Sequence, residues 1–288
     1  MALGPIFGVL FDGLAYGMLL FLLSVGLSVT LGMMNFVNLA HCAFAMLGGY
    51  VTVTLTNVYG WPFLATLPLA FLAAATASVA FERTLYRRLY RASELDQVLL
   101  TIGLAFMSVA TAAYLFGTIQ QPVETPSYLR GSINVMGLTF GLYRLFLVAV
   151  GLTIALLLLL TLEYTRFGAT VRAAVDNQRM ARGLGINVDG AFAVTFALGS
   201  GLAGLGGALA IEIVGLDPAF AFTYLVYVLI VVSVGGLGSI GGSLAAAVVI
   251  GISDMAGKYY FPALGAFLIY LVMVAVLMWR PTGLFGRR

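Results

Sequence analysis

Hydrophobic and polar positions along this chain alternate on the scale of whole helices. Apolar runs fall at roughly residues 6–31, 36–58, 62–81, 97–117, 143–162, 190–214, 219–235, 240–257 and 262–279. Each is close to the ~20 residues an α-helix needs to cross a bilayer core. The stretches between them are too short to form a soluble domain. The pattern predicts an all-α fold, one polytopic membrane helical bundle over residues 1–288 with about 8–9 membrane segments. Run 36–58 and the short pair 219–235 and 240–257 also fit broken or re-entrant segments. That pair flanks the turn Gly235–Gly242 (GGLGSIGG), and such interruptions are tolerated where neighbouring helices satisfy the backbone.

The longest polar-rich interruption is Glu163–Asp189 (EYTRFGATVRAAVDNQRMARGLGINVD), which carries Arg166, Arg172, Arg179 and Arg182. Two further places hold most of the other arginines: Arg83, Arg87, Arg88 and Arg91 in Glu82–Asp96, and Arg280, Arg287 and Arg288 in the closing RPTGLFGRR. Counting the apolar runs between them puts all three on one side, the cytoplasmic side by the bias of arginine in membrane loops. The C-terminus is then inside and the N-terminus outside. The far side keeps Arg130, Arg144 and Lys258 against Asp12, Glu124, Glu212, Asp217 and Asp254. Stretch Thr118–Leu142 is expected to be an ordered external loop.

Composition narrows the class. The chain is 62% hydrophobic and 9% charged, where a soluble domain has about a quarter charged residues. A single cysteine, Cys42, excludes a disulfide scaffold, and the hydrophobicity excludes a disordered chain. The only lysine is Lys258, and no basic tract suits nucleic acid. The N-terminus MALGPIFGVLFDG lacks the basic start of a signal peptide, so the first run is expected to stay as a membrane helix.

Within 163–189 a helix is expected that places Arg172, Asp176 and Arg179 on one face and Phe167, Ala174 and Ala181 on the other. Arg172 and Asp176 have i,i+4 spacing for an ion pair, and Gly183 and Gly185 suit the C-terminal stop. Two readings fit: a helix that docks into a cytoplasmic partner, or a topology loop that meets none. Asn35, Asn38 and His41 are spaced to climb one side of a helix. Polar groups at membrane depth line a wet path or bond between helices, and the spacing fits both. His41 is the only histidine, so no metal site is expected. Gly201, Gly204 and Gly207 recur at helical spacing and allow close helix approach. Neither glycine stretch ends in Gly-Lys-Ser/Thr, so the chain has no phosphate-cradling loop and is not expected to be an enzyme or to bind a cofactor itself. No acid lies clearly at the centre of a run, which argues against a proton-driven porter. Asp254 and Lys258, spaced i,i+4, can neutralise each other.

Several motifs together resemble the permease subunits of bacterial branched-chain amino acid ABC importers, the shorter of the two permease types. They are LGMMNFVNLAHCAFAMLGGY, ERTLYRRL at Glu82–Leu89, TIGLAF at Thr101–Phe106, TRFGATVRAAVDNQRMARGLGINVD joined to TFALGSGLAGLGGAL, VVSVGGLGSIGGSLAAAVVIG and RPTGLFG. They occur in order from about residue 30 to the C-terminus. The resemblance implies that 163–189 is a coupling loop seated on a cytoplasmic ATPase, with Arg172, Asp176, Arg179, Arg182, Gly183 and Gly185 in the carrying stretch. It implies a second related permease, two ATPase subunits that bind the ATP, an external solute-binding protein, surrounding membrane lipid and a place in the bacterial inner membrane. Asn35, Asn38, His41 and Thr101 are then candidates to line the solute path. Cys42 stands where the family commonly has glycine. The family also includes importers of urea and short amides. A self-contained secondary carrier or channel is the reading from another class; it predicts transport by this chain alone.

Overall fold

The apolar runs resolve into helices whose ends meet in two polar layers. In the computed structural model, which describes residues 3–34, 36–89, 92–124, 126–135 and 138–286, the order is α1 Leu3–Met34, α2 His41–Asn57, α3 Phe63–Phe81, a π-helical turn Glu82–Tyr86, α4 Arg87–Leu89, α5 Glu94–Phe116, β1 Ser132–Val135, β2 Leu138–Gly141, α6 Leu142–Tyr164, α7 Arg166–Asp176, α8 Gln178–Gly183, α9 Val188–Val214, α10 Phe220–Gly235, α11 Ile240–Tyr260 and α12 Gly265–Trp279. Six of these helices are long and apolar enough to cross a membrane; α10 and α12 are shorter apolar helices. The expected all-α bundle is therefore observed. Its additions among the described residues are the antiparallel hairpin β1–β2, which pairs Ser132 with Gly141 and Val135 with Leu138, and an isolated bridge between Gln121 and Leu216.

Helices α1 and α9 form the centre. Leu19 to Leu23 of α1 and Ala208 to Ala210 of α9 are fully buried. Between helices in lipid, apolar surface gives little driving force, and close packing of small residues takes its place. The glycines of α9 do this. Gly199 abuts Gly26 of α1, Gly204 lies against Gly48 of α2 and Ala74 of α3, and Gly207 faces the Ala45 carbonyl of α2. The expected close approach at Gly201, Gly204 and Gly207 is thus realised, with Gly201 under the Phe71 ring. Helices α5 and α6 stand outside this centre and expose Leu99, Phe106, Met107, Leu152 and Leu156.

The two polar layers match the expected partition of charge. In one, Asp189 pairs with both Arg87 and Arg182 (2.8 Å to the latter), joining the Glu82–Asp96 stretch to the 163–189 loop. The C-terminal loop joins the same layer: the Leu284 and Phe285 amides donate to the carbonyls of Val234 and Gly235 at 2.8 and 3.1 Å. Arg91, Arg287 and Arg288 lie outside the described residues. In the opposite layer Arg144 pairs with Asp12, Arg130 with Glu124 at 3.0 Å, and Lys258 with Asp254 at 2.6 Å. The described part of the Thr118–Leu142 loop is held there: the Gln121 amide donates to Leu216 at 2.7 Å, and Asn57 Nδ2 donates to the Pro122 carbonyl at 2.8 Å.

Candidate functional site

Two groups of residues carry the chemistry: a break between α1 and α2, and the loop between α6 and α9. At the break the expected helical stripe is corrected. Phe36 to Ala40 are not helical, and α2 begins only at His41. Asn35 lies outside the described residues. The unwound stretch is pinned by Phe36, whose ring packs on Tyr86 and Phe196 with centroids 5.1 and 6.1 Å apart. Its freed amides find side-chain acceptors, as buried backbone must. Val37 N–H donates to Gln97 Oε1 at 3.0 Å, Leu39 N–H to Thr101 Oγ1 at 3.1 Å and Ala40 N–H to Asn38 Oδ1 at 3.1 Å. His41 Nε2 lies 3.0 Å from the Leu23 carbonyl, so the proton sits on that nitrogen.

The structure therefore brings Asn38, His41 and Thr101 into one buried polar cluster. Most of their capacity is spent on backbone. The exception is Asn38 Nδ2, which is buried with no partner among the described residues. Gln97 also belongs to this cluster, and the sequence alone does not reveal it. Its position three residues after the first residue of α5 gives no signal until α5 is placed beside the break. Thr101→Val is expected to leave the Leu39 N–H buried and unpaired at a cost of about 1–3 kcal/mol, while Thr101→Ser restores the acceptor. Thermal unfolding of the purified protein in detergent measures both.

In the loop the single expected helix is instead two. Asn177 breaks it with extended backbone and caps α8, its Oδ1 accepting from the Met180 amide at 2.9 Å. Arg172 and Asp176 thus lie on α7 and Arg179 on α8, and the one-face arrangement is lost. Nor does the Arg172–Asp176 ion pair form: Arg172 Nη1 donates to the Leu162 carbonyl near the end of α6. Of the expected apolar face, Ala174 and Ala181 are buried and Phe167 is half-buried. The stop is as expected: Gly185 has φ +82°, and the Ile186 amide donates to the Ala181 carbonyl at 3.0 Å, a Schellman end. Gly183 closes α8. Arg182 turns to Asp189, while Arg179 remains on the exposed face.

The profile of the family described as the branched-chain amino acid transport system / permease component matches residues 9–277. The chain belongs to this family. The permease is 24% identical over 291 residues to the high-affinity branched-chain amino acid transport system permease protein BraD of Pseudomonas aeruginosa, covering 96% of this chain and 95% of the relative. It is 29% identical over 296 residues to the probable branched-chain amino acid transport permease protein LivH of Methanocaldococcus jannaschii, covering 96% and 92%. It is also similar, at 25% identity over 292 residues, to the high-affinity permease protein LivM of Escherichia coli, covering 93% of this chain and 68% of that one. As a member of this family the permease is a multi-pass membrane protein of a transport system.

Proposed function

We propose that this permease is one membrane subunit of an ATP-driven importer that carries branched-chain amino acids, leucine, isoleucine and valine, handed over by an external binding protein. The observation that carries the reading is the family match over residues 9–277 together with relatives named for that transport. Similarity to both the LivH and the LivM types supports a second, related permease as its partner. Two cytoplasmic ATPase subunits supply the energy, since this chain has no phosphate-cradling loop. The arginine-rich layer faces the cytoplasm of the inner membrane and includes the C-terminus.

In this reading the 163–189 loop is the coupling element. Arg179 and Met180 on exposed α8 face the ATPase. Arg172, Arg182 and the turn at Gly183–Gly185 hold α7 and α8 in place. ATP and solute shift the permease pair between inward-open and outward-open arrangements only through different affinities for the two. The break at Asn38, His41 and Thr101 lies along the solute path, and Asn38 Nδ2, without a partner among the described residues, is the donor left for a solute or for the path's water. In proteoliposomes holding the complete assembly, leucine-loaded binding protein is expected to stimulate ATP hydrolysis. Stimulation by a urea-loaded or amide-loaded protein alone would overturn the substrate assignment.

A further inference from the structure

A carboxylate is wholly buried toward the layer opposite to the arginine-rich one. Asp254 of α11 has no exposed surface, and its Oδ2 accepts from Lys258 Nζ at 2.6 Å. Its Oδ1 is buried with no partner among the described residues. Such an oxygen is costly until a donor reaches it, and an ionisable group at membrane depth marks a functional site by default. The wall beside it is aromatic. Lys258 Nζ lies 5.5 Å from the centre of the Tyr16 ring on α1. Tyr16 and Tyr224 of α10 hydrogen-bond to each other through their side chains, and Tyr227 stacks on Tyr224 with centroids 5.7 Å apart. A carboxylate and a ring face around one nitrogen are the contacts that suit a primary ammonium. Lys258 supplies that ammonium here, but it is the removable part: its side chain is 53% exposed against 0% for Asp254. Swung into water, it uncovers the carboxylate and the Tyr16 ring together.

We propose that Asp254 and Tyr16 form an outer seat for the α-ammonium group of a zwitterionic amino acid, and that Lys258 leaves Asp254 to take the solute's carboxylate. The proposal rests on the importer reading above and adds a contact that selects amino acids within it. Charge decides the occupant. A metal cation or a simple amine entering beside Lys258 would set two positive charges on one carboxylate, at a depth where charge is costly. Urea or a neutral amide brings no charge to replace the ammonium. A zwitterion keeps the balance: its ammonium faces Asp254, its carboxylate faces Lys258, and the sum stays zero. The three N–H bonds of an α-ammonium also let it donate to Oδ1, which the Lys258 pairing leaves unused. The seat is in line with the break described above. Leu23, whose carbonyl holds His41, lies seven residues after Tyr16 on α1, on the same stripe of the helix and about 10 Å deeper. The outer seat and the break at Asn38 are then two successive stations of one passage.

The test compares the native chain with Asp254→Asn in proteoliposomes holding the complete assembly, fed with labelled leucine on its binding protein. Uptake by Asp254→Asn is expected to fall by about tenfold or more, while the loaded binding protein still stimulates ATP hydrolysis as it does for the native chain. A second measurement needs no variant. Labelled leucine bound to the native permease–ATPase complex in nanodiscs, without binding protein, is expected to be displaced by isoleucine and not by 4-methylpentanamide, which has leucine's carbon frame and no charge. Native uptake by Asp254→Asn would overturn this inference and leave the importer reading standing. Loss of uptake together with loss of stimulated hydrolysis would overturn it too, since the pair would then serve only the fold. Displacement by 4-methylpentanamide as effective as by isoleucine would do the same, leaving water as the partner of Oδ1. Absence of leucine uptake by the native assembly would overturn the importer reading for leucine, and this inference with it.

Discussion

Gly207→Leu is expected to remove most of the folded permease from the membrane. A side chain at this position runs into the Ala45 carbonyl of α2, and backbone cannot rotate out of the way as a side chain can. The clash falls between α2 and α9, at the centre of the bundle, where Gly204 already meets Gly48 and Ala74. Forcing these helices apart costs about 3 kcal/mol, and marginal folds lose most of their population at that scale. Gly241→Ala is the matched control, because a β-carbon there meets nothing within 4 Å and alanine favours helix. Monodisperse yield in detergent separates the two: Gly241→Ala keeps the native yield and Gly207→Leu loses it.

The second large effect is asymmetric. Asp254 is fully buried, while the Lys258 that pairs with it is half exposed. Lys258→Met leaves a carboxylate buried without its cation and is expected to cost about 3 kcal/mol. Asp254→Asn leaves an ammonium that water and the Tyr16 ring, 5.5 Å away, still hold, and costs far less. The double substitution is expected to recover most of the loss from Lys258→Met. Thermal unfolding of the three variants checks this. Equal losses from both single substitutions would mean that the ion pair, rather than the buried carboxylate, carries the effect.

Most of the bundle was legible because in lipid a whole helix shares one environment, so apolar run length reports the element directly. The apolar runs lie close to the observed helices, and the arginine partition matches the two polar layers. The glycine row of α9 was legible as well, since small residues at helical spacing have few other uses in a membrane. What failed was local. Spacing of three suggested a continuous helix through Asn35, Asn38 and His41, but the acceptors that stabilise unwound backbone there, Gln97 and Thr101, come from a helix some sixty residues away in sequence. Likewise Arg172 and Asp176 have the spacing of an ion pair, yet the Leu162 carbonyl, placed by the turn into α7, takes the guanidinium. The break at Asn177 followed the same logic, its side chain capping α8 in preference to continuing α7. The hairpin 132–141 left too faint an alternation to be read.

The measurement that tests the central claim most directly is uptake of labelled leucine into vesicles that contain this permease, its second permease and the external binding protein, with and without the ATPase subunits. The account predicts uptake that requires ATP and stops when the ATPases are left out. Undiminished uptake without them would contradict it and make the chain a carrier in its own right.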